Sequence, residues 1–460
     1  MTRHVVARAV ERTLTGWARN PVTRAAVYRP EHRREVGELV RALAGRHVLA
    51  RGRGTAYGDA ALNDREAVLH TVRLSRFLDF DAETGRLTCE AGVPLRALAE
   101  LAVPRGWFLA VTPGTWKATV GGCLACDVHG KNHHVVGSFV DHVLAFRLAV
   151  ADGRVLRCSR DANASAFWAT AGGLGLTGVV LDVTLQLQRV ETSSLVVRYL
   201  KNRDLDETFA ALERPEPEPY SVGWLDVLAR GGRTGRSVLM LGRHARRDEL
   251  PAAARATPLA FRPGPSLRLP FALPAGAMSP MAVRAFNEVY YRRFPSDGRA
   301  VLQPFRPFFY PLEAIDNFNL LYGRRGLYQY QFVVPTRPAP RIVQTIVEGL
   351  AAGGHGSFLC VIKRFGRSNA AAMSFPAEGY TLAVDIPARG EPLLRLLRGF
   401  DDLVAAAGGR VYLAKDSRLA PEVVDAMYPA RRAWAEELDR LDPARLFESS
   451  LARRLGLRET

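Results

Sequence analysis

The chain has 460 residues, of which 48% are hydrophobic and 24% charged, so it can bury a substantial core in about two to four domains. Its 40 glycines and 28 prolines are too few for a collagen-like or low-complexity chain. No apolar run approaches the roughly 18 residues that a membrane-spanning helix needs. The formal net charge of +17 attracts anions, but the arginines are scattered among acids, which favours a basic surface without a nucleic-acid role.

Two features of the sequence indicate its compartment. The five cysteines are odd in number and sparse, so the sequence predicts free thiols in a reducing compartment rather than a disulfide framework. The first 17 residues carry charges throughout and lack the apolar core of a secretory signal. We therefore expect a cytoplasmic protein.

The first 190 residues are typical of α+β structure with many glycine turns. Residues 35–43 place apolar side chains at helical spacing, and residues 87–103 predict a strand followed by a helix. Residues 148–158 predict a β-hairpin with Asp152-Gly153 at its turn. Two further strands are predicted, a short one that leads into the glycine turn of 48–59 and a half-buried one at 183–188.

The composition changes near residue 190. The proline-rich segment 263–280 predicts a linker or a lid. After it the sequence predicts alternating strands and helices, at 328–334, 342–350, 379–387 and 393–409. The last of these helices ends at Gly408-Gly409, a strong stop signal. This order indicates a second α+β domain.

Three glycine-rich loops precede residue 180, at 51–59, 113–122 and 172–178. Glycine has no Cβ, so its backbone N–H can approach an anion closely. Each loop alone is most simply a tight turn, but three together indicate a large phosphorylated ligand held by backbone groups. The third loop matches a dinucleotide fingerprint only in its letters, because a strand rather than a helix is predicted after it.

The densest polar segment is DVHGKNHH, at 127–134. Its three imidazoles and one ammonium group are costly to bury without a purpose, so the segment predicts a catalytic or ligand-contacting loop. A solvated loop and a metal site are the alternatives. Lys131 would repel a cation, and we predict no metal. The nearby Cys123 and Cys126 match CxxC, but their small, apolar surroundings indicate buried, inert thiols.

Lys415 follows a predicted strand at 409–414. A lysine at a strand end beside apolar residues can be desolvated, which lowers its pKa toward that of a useful base. An ordinary surface pair with Asp416 is the alternative, and the sequence alone does not separate the two.

Five strings together carry a family resemblance: ARGRGTAYGD, PGTWKATVGGCLACDVHGKNHH, FWATAGGLGLTGVV, YQYQFVVP and GGRVYLAKDSR. They resemble the decaprenylphosphoryl-β-D-ribose 2′-oxidase family, whose members are flavoproteins of the vanillyl-alcohol-oxidase (PCMH-type) fold, and the resemblance runs nearly end to end. It implies an α+β fold with a PCMH-type FAD-binding domain of two α/β subdomains at 1–190. An α+β substrate domain built on an antiparallel sheet would follow at 191–404, and 405–460 would return to the FAD domain.

The resemblance implies an FAD cofactor. The flavin should be non-covalent, because His47 and His70, the histidines nearest to the first glycine loop, lie outside it. The implied cofactor-binding residues are Arg53, Gly54, Thr55, Ala56, Tyr57, Gly58, Gly114, Thr115, Thr119, Gly121, Gly122, Cys126, His129, Gly130, Asn132, Gly175, Gly178, Val179 and Lys415.

The resemblance also implies a catalytic set and a substrate set. The implied catalytic residues are Lys415, His129, Lys131, Gln331 and Tyr412. The implied substrate-binding residues are Trp224, Gln329, Lys363, Phe309, Ala383 and Asn319. Lys415 would position the ligand or act as a base, while His129 and Lys131 would orient the substrate or bind phosphate. Gln331 would hold a sugar hydroxyl or the flavin.

The pocket departs from the family at four positions. Ala383 stands where the family has cysteine, Thr381 where it has asparagine, Phe309 where it has tyrosine and Val222 where it has serine. Fewer polar groups would then remain to bind a sugar hydroxyl. The resemblance therefore defines the reaction better than it defines the substrate.

The implied activity is oxidation of the 2′-hydroxyl of a ribofuranosyl substrate to a keto sugar by hydride transfer to flavin N5. This would be the oxidative half of an epimerisation, as in arabinose biosynthesis. The substrate would be a polyprenyl-phosphate ribose, or a related furanoside or nucleoside of a natural-product pathway. An NAD(P)H-dependent ketoreductase partner and contact with the inner membrane face are implied, and no nucleic acid. The alternatives are an aldonolactone or alditol oxidase of the same fold and a non-catalytic flavin-binding partner protein.

Overall fold

Residues 8–215, 218–295 and 298–459, which the computed structural model describes, form four β-sheets with helices packed on them. None of the helices in these ranges is both long and apolar enough to cross a membrane. The strands, in chain order, are β1 (Val10–Thr15), β2 (Val22–Tyr28), β3 (Val48–Arg51), β4 (Ala67–His70), β5 (Phe77–Asp81), β6 (Arg86–Glu90), β7 (Trp107–Phe108), β8 (Val143–Ala149), β9 (Val155–Ser159), β10 (Val179–Gln186), β11 (Gln188–Arg189), β12 (Ser194–Asn202), β13 (Tyr220–Leu225), β14 (Ser237–His244), β15 (Ala300–Pro304), β16 (Leu327–Val334), β17 (Cys360–Phe365), β18 (Gly379–Pro387) and β19 (Arg410–Val411).

The helices include the four that the sequence pattern predicts. In chain order they are α1 (Arg33–Ala42), α2 (Leu95–Ala102), α3 (Val120–Ala125), α4 (His133–Val136), α5 (Ala164–Thr170), α6 (Leu205–Glu213), α7 (Pro280–Arg292), α8 (Phe305–Phe309), α9 (Ala339–Ala352), α10 (Gly390–Ala406), α11 (Val424–Met427), α12 (Arg431–Leu441) and α13 (Ser450–Leu455). Helices α1, α2, α9 and α10 confirm the predictions. Gly408, with φ +71°, follows the end of α10 in the left-handed conformation that glycine favours.

The first half of the chain forms two larger sheets. One has the order β1-β2-β4-β3, in which β1 and β2 are antiparallel and the other pairs are parallel. The other is antiparallel, with the order β5-β6-β10-β8-β9. Strands β8 and β9 form the predicted hairpin, with Gly153 at φ +77° in its turn. Helix α5 precedes the third glycine loop and β10 follows it. A dinucleotide-binding fingerprint has the opposite order, a strand before the loop and a helix after it, so this loop does not form one.

An eight-stranded antiparallel sheet follows, with the order β15-β12-β14-β13-β17-β18-β16-β19. Segment 263–280, predicted to be a linker or a lid, is irregular up to the start of α7, apart from one helical turn at Ala275–Met278. The prediction of a strand at 409–414 is wrong beyond Val411, where β19 ends. The backbone N–H of Tyr412 still bonds to Gln331, but the chain then turns, and Lys415 bonds back to the Tyr412 carbonyl.

The end of the chain packs on the first sheet. The N–H of Val48 donates to Leu446 at 2.7 Å, and the N–H of Glu448 donates to Val48 at 3.0 Å. Phe447 is buried in the same apolar cluster as Val36 of α1. The division of the chain at residues 190 and 404 stays a prediction.

Candidate active site

A deep cavity of about 2070 Å³, including the space at its mouth, lies where the three glycine loops meet the eight-stranded sheet. The loops supply one wall. Strands β16, β17 and β18 supply the opposite wall, through Gln329, Gln331, Lys363 and Ala383. Since neighbouring strands present alternate side chains to one face, these four side chains can reach the same space.

The first glycine loop is built around a buried arginine. The Arg51 guanidinium donates to the carbonyls of Thr15 and Ala61, each at 2.7 Å. Burial lowers the pKa of Arg51 to about 10. Gly54 has φ +67°, and a Cβ there would overlap the Arg51 guanidinium. Only glycine therefore fits at this position of the loop.

The second and third glycine loops are held against helix α3. The Thr119 hydroxyl accepts a hydrogen bond from the Gly122 N–H at 3.3 Å and so caps the helix. A Cβ on Gly121 would stand 2.8 Å from the Cβ of Ala91, closer than side chains pack. Leu174 in the third loop donates its N–H to Ala125, at the end of α3, at 2.8 Å. Side chains therefore leave the backbone of this wall exposed to the cavity.

His129 is a neutral hydrogen-bonding group in this wall. Its Nε2 lies 3.0 Å from Nε2 of Gln331. Because the amide nitrogen can only donate, the imidazole accepts at Nε2 and carries its proton on Nδ1. Nδ1 is buried and has no hydrogen-bond partner among the described residues. Burial and the charge of Lys363 hold the pKa of His129 well below its usual value.

Burial changes the pKa of three of the four lysines that line the same cavity. Burial lowers the pKa of Lys131 to about 8. Burial, together with the charges of Lys131 and Lys415, lowers the pKa of Lys363 to about 7. Burial also lowers the pKa of Lys415 to about 8, against an opposing effect of Asp385. These groups therefore exchange protons near neutral pH, and they repel one another when all are charged.

Positively charged side chains greatly outnumber negatively charged ones in the cavity lining. Among the described residues that line it, the only carboxylate is Glu313. The cationic side chains of that lining are Arg51, Arg53, Lys117, Lys131, Lys363 and Lys415. A cavity with six cations and one carboxylate suits a ligand with several negative charges.

A buried carboxylate stands behind Gln329. The Gln329 amide donates to Oδ1 of Asp385, while Oδ2 has no hydrogen-bond partner among the residues described. Burial raises the pKa of Asp385 to about 7. The sequence analysis missed Asp385, although its position two residues after Ala383 on β18 places it on the same face of that strand.

Residues at the cavity mouth were also missed. Trp17 packs against Phe318 with ring centroids 5.5 Å apart, and Lys117 Nζ lies 5.4 Å from the centroid of the Trp17 ring. Lys117 also pairs with Glu313 at 3.1 Å, and Thr115 donates to that carboxylate at 2.5 Å. No sequence motif links these residues, because they come from three distant segments.

Tyr412 is a hydrogen-bond donor in the floor of the cavity. Its hydroxyl donates to the Cys126 carbonyl at 2.8 Å, and its ring stacks on Phe375 at 4.5 Å. Burial raises the pKa of Tyr412 well above its usual value, so the hydroxyl stays protonated. Burial also raises the pKa of the Cys126 thiol to about 12, and all five cysteines are free. This agrees with the prediction of inert thiols.

Most of the predicted site residues line the cavity. They are Arg53, Gly54, Thr55, Ala56, Tyr57, Gly114, Thr115, Thr119, Gly121, Gly122, Cys126, His129, Gly130, Lys131, Gly175, Gly178, Gln329, Gln331, Lys363, Ala383, Tyr412 and Lys415. The structure therefore brings together residues that are up to about 360 positions apart in the chain. Their individual roles stay predictions.

Three predicted substrate-binding residues do not line the cavity. Trp224 is buried and donates from Nε1 to the Phe358 carbonyl at 3.0 Å. Phe309 is buried in an aromatic cluster. Asn319 donates to the Trp17 carbonyl at 2.7 Å, so it supports the mouth from behind.

Three predicted cofactor-binding residues also lie behind the wall. A Cβ at Gly58 would overlap the carbonyl of Asp416, because the first glycine loop is pressed onto the turn that carries Lys415. Asn132 donates to the Ala110 carbonyl at 2.8 Å. Val179 of β10 is fully buried in the apolar cluster that also contains Val36 and Phe447.

Comparison with known proteins places this site in context. A family described as an FAD binding domain matches residues 24–159. The chain is 36% identical to the decaprenylphosphoryl-β-D-ribose oxidase of Mycolicibacterium smegmatis, over 96% of this chain and 97% of that protein. It is 40% identical to a Streptomyces coelicolor protein from the mprA 5′ region, over 79% of this chain and 100% of that protein. The L-gulonolactone oxidase of Mus musculus is 33% identical over 43% of this chain and 48% of that protein.

The residues of the cavity fit FAD. A pyrophosphate brings negative charge, which matches the excess of cations in the lining. At Gly114 an added Cβ would meet no protein atom within 4 Å, so the backbone there borders open space. His129 is the one histidine among the described lining residues, and the first glycine loop contains none. Non-covalent binding of the flavin stays a prediction.

Proposed function

Because the chain belongs to the family of decaprenylphosphoryl-β-D-ribose oxidase flavoproteins, we propose that it oxidises the 2′-hydroxyl of a ribofuranosyl group that carries a phosphate. It is an FAD-dependent oxidoreductase. The observation that carries the substrate proposal is the pair Lys131 and Lys363. Both line the cavity, and neither has a carboxylate partner among the described residues.

The glycine loops are the groups that would hold the cofactor. Backbone N–H groups of 51–59 and 113–122, with the Arg53 guanidinium, would bind its pyrophosphate. When bound, FAD would supply the acceptor, at N5, for the hydride of the carbinol carbon. The protein's own contribution is to place the hydroxyl and to take its proton.

Lys415 is the group that takes the proton in this proposal. With a pKa of about 8 it has a neutral fraction at physiological pH, and a neutral amine accepts a proton from the hydroxyl as the hydride leaves. His129 and Tyr412 are poor bases by comparison, because the pKa of the first lies far below neutral pH and the second stays protonated. Gln331 orients the sugar hydroxyl beside them.

Lys131 and Lys363 bind the phosphate in this proposal. A phosphate between the two ammonium groups would remove their mutual repulsion and stabilise both in the charged form. The apolar Val222 and Ala383 line the same cavity and leave room for the sugar ring without adding hydrogen bonds. Recognition would thus depend on the phosphate more than on the ring hydroxyls.

The test is anaerobic mixing of the holoprotein with ribofuranosyl phosphates, nucleosides and free polyols, followed by the flavin absorbance. We expect bleaching by the ribosyl phosphates. We also expect Lys363→Met to raise the apparent Kd of these substrates by about tenfold or more, since hydrogen bonds to charged groups contribute roughly 1.5–3 kcal/mol. Lys201→Met, on β12 away from the cavity, is the matched control. Bleaching by free polyols alone would instead favour the aldonolactone or alditol oxidase reading.

The chemistry of the product implies a partner. A 2′-keto sugar must be reduced from the opposite face to complete an inversion, so we propose an NAD(P)H-dependent ketoreductase as the second enzyme. A polyprenyl carrier on the phosphate would place the reaction at the inner face of the cytoplasmic membrane. The five free cysteines are typical of a reducing compartment and support the cytoplasmic side.

A further inference from the structure

Both hydrogens of the Gln331 amide are used inside the protein. The side chain is 3% exposed, and among the described residues it has two hydrogen-bond partners. Its amide nitrogen, Nε2, lies 3.0 Å from Nε2 of His129 and donates to the Thr381 hydroxyl at 3.3 Å. Because a primary amide nitrogen carries two hydrogens, these two contacts use all of its donor capacity.

The carbonyl oxygen of the same amide is left for a ligand. Gln331 lines the cavity, and no hydrogen bond from a described residue reaches its Oε1. An amide oxygen accepts hydrogen bonds and cannot donate them. An acceptor that stays unpaired in a buried site is costly. The ligand group that meets Gln331 must therefore be a donor.

Thr381 holds the amide in this orientation from behind the wall. It is 1% exposed and is not among the described residues that line the cavity. On β18 it pairs with Val333, next to the pair of Gln331 and Ala383, so it is the diagonal neighbour of Gln331 on one face of the sheet. Without the Thr381 hydroxyl, one amide hydrogen of Gln331 would be buried with no acceptor, and the amide would leave this orientation.

The chemistry of the proposed substrate identifies the donor. The reacting 2′-hydroxyl has one proton, which Lys415 takes in the proposed function. The carbon that carries this hydroxyl has two neighbours in the ring, C1′ with the phosphate and C3′ with a hydroxyl. In the proposed function the phosphate binds to Lys131 and Lys363. The 3′-hydroxyl is then the neighbouring donor that remains for Gln331.

We propose that Thr381 is a positioning residue that holds the Gln331 oxygen toward the cavity, where it accepts a hydrogen bond from the 3′-hydroxyl of the ribose. This deepens the proposed function and rests on it, because it adds one hydroxyl contact to recognition of the phosphate. By holding the neighbouring hydroxyl, Gln331 orients the reacting one toward Lys415. A substrate without a donor at C3′ leaves the Gln331 oxygen unpaired, so the site discriminates against it.

The test compares a water-soluble ribofuranosyl phosphate with its 3′-deoxy-3′-fluoro analogue, in anaerobic reduction of the flavin in the holoprotein. Fluorine replaces the hydroxyl with little change in size, but it cannot donate a hydrogen bond. The quantity to measure is the limiting reduction rate divided by the apparent Kd. We expect this quantity to be lower for the analogue by about tenfold or more in the wild type.

Variants of Thr381 separate positioning from packing. Thr381→Val keeps the shape of the side chain without the hydroxyl and should lose most of the discrimination, and Thr381→Ala should behave in the same way. Thr381→Ser keeps the acceptor and should discriminate as the wild type does. Fluorine also withdraws electrons from the reacting carbon, but this effect is common to all variants. The matched control is Thr208→Val on α6, whose buried hydroxyl lies 2.7 Å from that of Ser237, in a part of the fold that does not line the cavity.

The outcomes separate this inference from the proposed function. Equal use of the two substrates by the wild type would overturn the inference and leave the oxidation standing. So would Thr381→Val and Thr381→Ala proteins that discriminate as the wild type does. Variants that bind FAD more weakly with unchanged discrimination would instead assign the Gln331 oxygen to the flavin. A wild type whose flavin no ribosyl phosphate bleaches would overturn the oxidation, and this inference with it.

Discussion

Gln331 and His129 meet through their Nε2 atoms, 3.0 Å apart, and this contact joins the eight-stranded sheet to the loop that follows α3. The two residues are about 200 positions apart in the chain. Their contact fixes the imidazole as a neutral ring with its proton on Nδ1. We therefore expect His129 to act through hydrogen bonding rather than through acid–base chemistry.

The rate of flavin reduction should accordingly show no titration of His129. Burial and the charge of Lys363 hold the pKa of this histidine well below its usual value, so the ring stays neutral over the pH range in which an ordinary histidine titrates. We expect His129→Asn to lower the rate but to leave the shape of its pH profile unchanged. Stopped-flow reduction across this range is the measurement. A wild-type inflection near the ordinary histidine pKa that disappears in His129→Asn would contradict the assignment.

Lys415→Arg should abolish a rise in the reduction rate with increasing pH. The pKa of Lys415 is about 8, and only its neutral form accepts a proton, so the wild-type rate should rise through that pH. Arginine stays protonated, so the variant should be slower by about 10²–10⁴-fold and flat over the same range. Lys363→Met is the control, because it removes the other lysine with a lowered pKa and should keep the rise that depends on Lys415. A Lys415→Arg variant with the wild-type rate and profile would remove Lys415 from the role of base.

Asp385→Asn should move the Lys415 titration to lower pH. The carboxylate of Asp385 raises the pKa of Lys415 against the effect of burial, and asparagine keeps the acceptor for Gln329 without the charge. The midpoint of the pH–rate profile is the quantity to measure. An unchanged midpoint, or one displaced to higher pH, would show that the two side chains are not electrostatically linked.

Substitution of two different glycines should affect protein stability in one case and FAD binding in the other. Gly58→Ala forces a Cβ onto the Asp416 carbonyl and should lower the free energy of unfolding by about 1–3 kcal/mol. Gly114→Ala meets no protein atom within 4 Å, so it should leave the stability of the flavin-free protein unchanged and weaken FAD binding. Thermal unfolding and FAD titration are the measurements. Equal stability of the two flavin-free variants would contradict the prediction.

His244 should make the protein less stable in acid. Burial lowers its folded-state pKa from 6.5 to about 4. Below pH 6.5 the unfolded chain therefore binds a proton that the folded chain does not, and the free energy of unfolding falls as the pH falls. The slope from this residue approaches about 1.4 kcal/mol per pH unit.

His244→Phe should remove that part of the slope, because the ring lies among Phe108, Phe309 and Tyr220. Urea unfolding at about pH 7 and about pH 5 measures the difference. The other buried histidines keep part of the slope in the variant. A variant with the full wild-type slope would show that His244 already binds its proton in the folded state.

Local patterns predicted much of the fold. The apolar spacing of 35–43 predicts α1 because one helix face packs on the first sheet, and Gly408 predicts the end of α10 because only glycine takes its conformation without strain. Local patterns could not predict the order of the strands in the eight-stranded sheet. Strand β13 pairs with β17, about 140 residues later, and no turn chemistry specifies that pairing.

The site divides in the same way. The glycine loops and the HGKNHH segment can be recognised in the sequence, because clustered glycines and clustered imidazoles seldom occur without a structural or binding role. Trp17, Lys117 and Glu313 cannot be recognised in this way, since no motif marks them and only the fold brings the three together in the cavity lining. The strand predicted before Lys415 was too long, because the Tyr412 contact with Gln331 is the last pairing before the chain turns.

The bridge between Val48 and Phe447 has a consequence for synthesis of the protein on the ribosome. The glycine loops emerge early, but the turn pressed against Gly58 emerges much later, as does Arg454, which pairs with both Asp59 and Asp416. A nascent chain that lacks residues 415–454 presents the glycine loops without the turn and the arginine that hold the first of these loops in place. We therefore expect a nascent chain that ends before Arg454 to bind flavin more weakly than one that contains this residue.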